Sequence, residues 1–309
     1  MFDHFAWSVL AAPALVVLGT WLLADRLRPG LALRVVAWSA VAAAAASTAN
    51  LLAFALKALA EVPAVAALGG WSHDTVVADT AHVPWLSWLS PVWVCVIAVV
   101  ASGLWRRRRT ALRAARFEVD WWEPHGDVVT VADDRIEAFA LPGTAGRSGR
   151  IVVTTGILDL LDERLCDAVI AHERAHLAGG HHRLVWLTTL AATANPILWP
   201  VARHVAYLVE RVADEAAAQQ LGDRRQVARA IGFAALAASR AGGVTAPHGA
   251  LMALGSTRGV VPRRVSALMA PSLRRRWPST SLVLIAAATV VWTGECVYDL
   301  HELLALARH

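Results

Sequence analysis

Charge is what this sequence most lacks. Only 17% of its 309 residues are charged, against 57% hydrophobic, where a soluble domain carries about 25% charge. That deficit makes lipid part of the solvent. Cysteine is scarce as well. Cys95, Cys166 and Cys296 are the 3 present, and none stands at CxxC spacing. This excludes a disulfide framework and a cysteine metal site, and leaves Cys95 and Cys296, in apolar runs, as small hydrophobes. No GxSxG occurs and no pair of aspartates lies inside an apolar run, so serine and aspartyl intramembrane proteolysis lack their residues. The same runs have no buried charges to mark an ion path, which argues against a transporter. No RNA- or DNA-binding module motif appears, and no direct nucleic-acid contact is expected. Met1-Phe2-Asp3-His4 offers no positive n-region. The first apolar run is therefore expected to be a retained anchor rather than a cleaved signal.

What is abundant is apolar sequence of spanning length, about 20 residues. Four runs qualify: Phe5 to Ala24, Ala32 to Leu56, Pro84 to Trp105, and Ser279 to Val297. The third carries Trp85, Trp88, Trp93 and Trp105, and tryptophans near run ends suit interfacial belts. The net charge of +5 is mostly Arg, gathered beside these runs. Arg26, Arg28 and Arg34 separate the first two, Arg106 to Arg109 follow the third, and Arg274 to Arg276 precede the fourth. All three clusters fall on the inner side if the chain starts outside and alternates. Lys57 to Val83, with Glu61, Asp74 and Asp79, then lies outside. The expected organisation is a membrane domain of three spans over residues 1–105, a cytoplasmic domain over 106–278, and a last span with a short tail over 279–309. The protein is expected in the cell membrane, multi-pass, with the lipid bilayer as a partner.

Residues 106–278 are of mixed character. Val128 to Val131, Glu137 to Leu141 and Arg150 to Thr154 read as short strands, with Pro142, Gly143, Gly146 and Gly149 as a turn. Asp162 to Ala178 reads as an amphipathic helix, capped by Asp162 and stopped by Gly179-Gly180. A fifth apolar run, Leu184 to Leu208, is broken by Asn195, Pro196 and Pro200. It is expected to form a hairpin of two short helices at or in the membrane surface. Ala241 to Gly259, rich in small residues, is expected to be a mobile loop near the cleft.

Inside the predicted helix stands His172-Glu173-Arg174-Ala175-His176, an HExxH motif. Positions four apart project from one helix face, so two imidazoles can hold one zinc ion while Glu173 reaches an attacking water. His181 and His182 follow closely and are expected to be a solvated or interfacial pair. A second signal follows in Glu210-Arg211-Val212-Ala213-Asp214, where two carboxylates again lie four apart. Glu215 reads as a surface charge.

Glu210 to Asp214 resembles the ExxxD element of gluzincin peptidases. That resemblance implies Glu210 as third metal ligand beside His172 and His176, Asp214 orienting His172, Glu173 as general base, and one Zn²⁺ per chain. The wider likeness runs from about Ala138 to Ala218. Ala138-Phe139-Ala140-Leu141-Pro142-Gly143 resembles the strand and turn before the catalytic helix of HtpX-like and CAAX-prenyl membrane endopeptidases. Val153 to Leu161 with Ala168-Val169-Ile170-Ala171-His172 resembles both that group and the BlaR/MecR-type signalling peptidases. Asn195-Pro196-Ile197-Leu198-Trp199 and three spans ahead of the zinc domain favour the BlaR/MecR type, although its extracellular penicillin-binding sensor has no counterpart here. The implied fold is an α-helical membrane protein with a small α+β zincin-like domain. The implied activity is zinc endopeptidase action on a protein or peptide substrate, plausibly a cytosolic BlaI/MecI-like repressor. The alternatives are an HtpX-like quality-control protease and a non-catalytic metal-dependent sensor or scaffold. Tyr207, His204 and Arg211 are unranked candidates for a second oxyanion stabiliser, and a homodimer is left open.

Overall fold

A computed structural model describes residues 2–79, 81, 83–144, 146–240, 260–270 and 280–308. Ala241 to Gly259 and Arg274 to Arg276, both given expectations above, lie outside the described residues.

The membrane part is built around one helix. Helix α1 (Asp3–Arg26) leads through a short turn into α2 (Pro29–Ala60). Alanine dominates the buried face of α2, at Ala32, Ala37, Ala40, Ala43, Ala44, Ala46 and Ala53. Small side chains let helix backbones approach closely, which is how apolar helices associate where no hydrophobic effect drives them together. Two short helices, α3 (Pro63–Gly69) and α4 (His73–Ala78), then lead to α5 (Pro84–Val119). Three described helices, α1, α2 and α5, are long and apolar enough to cross a membrane. The apolar run predicts that the third ends at Trp105. Instead α5 continues to Val119, because Arg106 to Phe117 contains no helix breaker and is rich in Arg and Ala. This extension carries the chain from the bundle to the sheet.

The sheet is small and one-sided in its connections. β1 (Pro124–His125), β2 (Val128–Val131), β3 (Ala138–Leu141) and β4 (Arg150–Thr154) lie in the order β1-β2-β4-β3. β2 and β4 are parallel with Val129 opposite Val152, and β3 runs antiparallel to β4 with Ala140 opposite Ile151. Alternation along β4 sends Val152 one way and Ile151 and Val153 the other. Val152 packs with Val129, Val131 and Leu141 against Ala115 and Val119 of α5. Ile151 and Val153 pack with Ile157 and Leu161 of the segment that follows. That segment comprises α6 (Thr155–Leu160) and α7 (Glu163–Ala178), and α7 carries the HExxH motif. The sheet therefore joins the helix that carries HExxH to the end of a helix of spanning length, and its β3 edge lies beside α7.

The fifth apolar run is a hairpin that inserts into the helix bundle. Its arms are α8 (His181–Ala194) and α9 (Trp199–Leu221), joined at Asn195 and a turn over Pro196–Leu198. Val185, Ala191, Leu198, Val201, Val205 and Leu208 bury themselves against Val16, Leu33, Val36 and Ala40 of the first two helices. The 14 residues of α8 rise about 21 Å, short of the ~30 Å hydrocarbon core. Hydrogen bonding explains where the turn stops. Pro13 has no N–H to return to the preceding turn of α1. Two carbonyls of that turn accept side-chain donors: Asn195 donates to the Val9 carbonyl at 2.8 Å and the Ser47 hydroxyl to the Ser8 carbonyl at 2.6 Å. Asn195 also donates to Ser47 Oγ at 3.0 Å, and its own carbonyl accepts from the Ile197 amide at 3.1 Å. Near the other end of α8, Trp186 packs at a tilt against Trp105, ring centroids 6.3 Å apart, and lies under the Arg108 guanidinium at 4.8 Å.

Two more helices, α10 (Arg224–Arg240) and α11 (Val260–Met269), pack on α7 and α9 through Val227, Leu268, Ala217 and Ala168. The last helix, α12 (Thr280–Leu306), lies along α2 and joins Thr293 to Asn50 by a 3.3 Å hydrogen bond.

Replacing Asn195 with Leu removes both donors that hold the hairpin tip. We expect Asn195→Leu to lower the stability of the detergent-solubilised protein by about 1–2 kcal/mol, read as a fall in Tm; an unchanged Tm would show that the tip is not held by these bonds.

Candidate metal centre

The site is assembled from α7 and α9, with a contribution from α11. α7 starts where Asp162 accepts the Leu165 amide at 2.8 Å, and the chain turns after it through Gly180 in the left-handed region at φ 58°. One turn apart on α7, His172 and His176 bring their Nε2 atoms to 3.0 Å of each other. Glu210 on α9 places Oε2 3.5 Å from His172 Nε2 and Oε1 3.6 Å from His176 Nε2. The three ligand-capable atoms lie within 4.8 Å of one another. Zinc binds imidazole nitrogen and carboxylate oxygen at about 2.0–2.2 Å, so the three groups are close enough to share one ion.

The outer nitrogens explain why the inner ones converge. Asp214, one turn beyond Glu210 and 1% exposed, sets Oδ1 2.9 Å from His172 Nδ1. His181 sets its Nδ1 3.2 Å from His176 Nδ1. With Asp214 and His181 facing the two Nδ1 atoms, both rings turn their Nε2 atoms toward one place. Such partners fix ring orientation and tautomer in metal sites. His2Glu is thus a donor set that the structure presents ready for a divalent ion.

Arg264 of α11 is a member of this site that sequence reasoning missed. Its guanidinium grips Asp214 with two bonds of 2.8 and 2.7 Å and reaches Glu210 Oε2 at 2.9 Å. A buried carboxylate without a cation would be costly, and Arg264 supplies the charge that lets Asp214 stay ionised. The short segment around Pro262-Arg263-Arg264 bears no recognisable spacing to the HExxH helix, so no sequence signal marked it. Arg263 beside it faces elsewhere, over the Tyr207 ring at 4.1 Å and onto Asp25 at 2.6 Å.

These contacts set the protonation states. Burial would push His172 down, but its Asp214 and Glu210 contacts outweigh burial and hold it up at about 10. His176 is pushed down to about 3, by burial first and then by the charge on His172. Burial likewise pushes His181 down to about 4. Glu210 and Asp214 are both held below the usual carboxylate range: burial opposes this, but His172 and Arg264 outweigh it. Glu173 is the exception. Burial pushes it up to about 7, with Glu210 adding to the rise and His172, the Ala140 backbone hydrogen bond and Arg264 opposing it.

Several expectations need correcting. His181 is not a solvated residue: it is 3% exposed and packs edge-on against His176 with ring centroids 5.0 Å apart. His182 is half-buried, with its carbonyl facing Arg108. Glu215 is not a free surface charge, since Arg224 binds both its oxygens at 2.7 and 2.8 Å and so joins α9 to α10. Of the three oxyanion candidates, Tyr207 lies under Arg263, His204 packs beside Tyr207, and Arg211 faces Asp25 at 3.9 Å. Arg174 grips Asp127 at 2.7 Å, pinning α7 to the β1–β2 turn.

Two histidines four apart on one helix, completed by a glutamate from a later helix, make the donor arrangement of the gluzincin class. The profile of Peptidase family M48 matches residues 106–280, more than half of the sequence, and the chain belongs to that family. M48 peptidases are zinc-dependent, and the apolar helices fit a membrane protein. Among curated relatives, the chain is 36% identical over 83 residues to a protein named Protease HtpX homolog from Herminiimonas arsenicoxydans, a match that covers 27% of each chain. It is 33% identical over 92 residues to Protease HtpX from Haemophilus ducreyi, covering 30% of this chain and 31% of that one. The Protease HtpX homolog of Bacillus licheniformis is 36% identical over 80 residues, 26% of each chain. The match thus spans under a third of the length of these relatives. No solved structure matches. The relatives bear the HtpX name rather than that of the BlaR/MecR type, so the expected closer kinship with signalling peptidases gains no support.

Two measurements probe this site. Because His172 holds a proton up to about 10, a metal ion must displace that proton; apparent zinc affinity should rise as pH rises, by about tenfold per unit across neutral pH. A pH-independent affinity in chelator competition would mean that His172 carries no proton to displace. Arg264→Leu should weaken zinc binding about 10- to 100-fold, since it leaves Asp214 unpaired; wild-type affinity in that variant would remove Arg264 from the site.

Proposed function

We propose that this chain is a membrane-anchored zinc endopeptidase that hydrolyses peptide bonds of protein substrates on the cytoplasmic side. The observation that carries this reading is the convergence of His172 Nε2, His176 Nε2 and the Glu210 carboxylate on one point, with Glu173 next in sequence to the first of them. In this reading His172, His176 and Glu210 would hold the ion, the three protein ligands that a catalytic zinc site uses. Zinc bound there supplies Lewis acidity toward the attacking water and the scissile carbonyl. Glu173 accepts the proton of that water and passes it to the leaving amine. Its pKa, raised to about 7 by burial, suits a group that must both take and release a proton near neutrality.

Substrate binding is assigned to β3. It is an edge of the sheet, beside α7, and the Ala140 backbone hydrogen bond already ties it to Glu173. An extended peptide that adds to this edge through backbone bonds runs past the metal ligands. Such recognition reads backbone more than side chains, which favours unfolded or loosened chain over one fixed sequence. The names of the relatives favour the same side: an HtpX-like protease acting on membrane-protein substrates is preferred to a protease specific for a BlaI/MecI-like repressor. We place the membrane domain in four spans, with α12 as the last.

The test separates chemistry from metal binding. Glu173→Gln should keep zinc at wild-type stoichiometry and lose peptidase activity by about 10²- to 10⁴-fold. Undiminished cleavage by that purified variant would end the assignment of Glu173 as base. Proteomic comparison of cells with wild type and Glu173→Gln would give the substrate as a missing new N-terminus.

A further inference from the structure

The two zinc-facing histidines are oriented by different chemistry, and the difference points to a residue with no role so far. His172 leans on a carboxylate, Asp214. His176 leans on a neutral imidazole, His181, whose Nδ1 stands 3.2 Å from His176 Nδ1 with the rings perpendicular. His181 lies on the far side of the His176 ring from the converging Nε2 atoms, so it stands behind a ligand rather than among the ligands.

The chain takes trouble to put it there. α7 ends at Ala178, and the next helix begins at His181. Only two residues lie between, and the turn requires Gly180 in the left-handed region at φ 58°, a conformation costly for any residue with a Cβ. Gly179 is needed for a separate reason. A Cβ on it would come within 2.3 Å of His181 Nε2 and 2.6 Å of its Cδ2. The imidazole lies flush against the glycine backbone, in space that any side chain would fill. Gly179-Gly180 thus does more than stop a helix: it folds the chain back and seats a ring against His176.

We propose that His181 is a positioning residue for the metal centre, accepting a hydrogen bond from His176 Nδ1–H and so presenting the His176 Nε2 lone pair to zinc. A neutral imidazole has one donor nitrogen and one acceptor nitrogen, and here the acceptor faces His176. The imidazole can fix the ring without adding charge to the site. The proposal rests on His176 being a metal ligand, as assigned above.

The test uses purified full-length protein in detergent, with zinc affinity measured by competition with a chromophoric chelator and Co²⁺ absorption as a spectroscopic readout. His181→Phe keeps the bulk and loses the acceptor; it should bind zinc about 10- to 100-fold more weakly and shift the Co²⁺ bands. His181→Asn, whose side-chain oxygen takes the place of Nδ1, should recover most of the loss. Gly179→Ala, which denies the ring its seat, should weaken zinc as His181→Phe does, and it carries the test if the Phe variant does not fold. Wild-type affinity in both His181→Phe and Gly179→Ala overturns the proposal. So does a His181→Asn variant as weak as His181→Phe, which would mean that an acceptor at this place does not hold His176. Wild-type protein and His176→Ala run alongside: if wild type holds no zinc, or His176→Ala holds as much, the metal assignment itself fails, and that outcome is distinct from normal binding in the His181 variants alone.

Discussion

Glu210 can reach His172 and His176 only if the chain that leaves the catalytic helix returns to the side it left. Everything at the site follows from that constraint. Between the two halves lies an apolar segment long enough to tempt a full crossing, and the protein resolves it by turning at Asn195 inside the bundle. The turn is possible because its polar groups are met. A buried amide among apolar helices is costly without partners, and Asn195 finds them in the Val9 carbonyl, the Ser47 hydroxyl and its own turn. Pro13 prepares this arrangement by withdrawing a donor from α1. A proline in one helix and an asparagine nearly two hundred residues later thus act together.

The second organising element is the buried carboxylate of Asp214. It touches His172 on α7 and Arg264 on α11, and it is itself part of α9. Three helices meet at one side chain. Because Arg264 also reaches Glu210, the same guanidinium balances the ligand carboxylate and the carboxylate behind the other ligand. In such a cluster no member can be removed without leaving a neighbour unpaired, and buried unpaired charges are among the largest single costs in a fold. The site is consequently held by electrostatics from both faces of α9, while apolar packing from α2 holds the rest of that helix.

Membership of Peptidase family M48 fits this architecture and extends it. The matched region starts where α5 leaves the apolar part of its span and takes in the sheet, the catalytic helix, the hairpin and α11. The hairpin belongs to that unit rather than to the membrane anchor, although it buries itself against α1 and α2. Catalytic region and bundle are therefore not two bodies joined by a linker. α8 and α9 serve both, and α5 ties the bundle to the sheet through Ala115 and Val119.

The sequence by itself determined which candidate metal-binding groups share a helix face. His172, Glu173 and His176 lie at the period of a helix, and Glu210 and Asp214 repeat that period, so local geometry alone aligns each pair. It also determined the strands at 128–131 and 150–154 and the helix capped by Asp162, because alternation, turn residues and capping are local codes. The tertiary structure decided what depends on distant segments meeting. Arg264 belongs to the site because α11 happens to pack against α9, and nothing near it in sequence records that. His181 turned from an apparent surface histidine into a buried neighbour of His176 because two glycines reverse the chain there. The depth of the hairpin was likewise beyond local reading, since the acceptors that fix Asn195 lie in α1 and α2. Periodicity and capping act within a few residues, whereas the pairing of buried polar groups is settled only when the whole chain has closed around them.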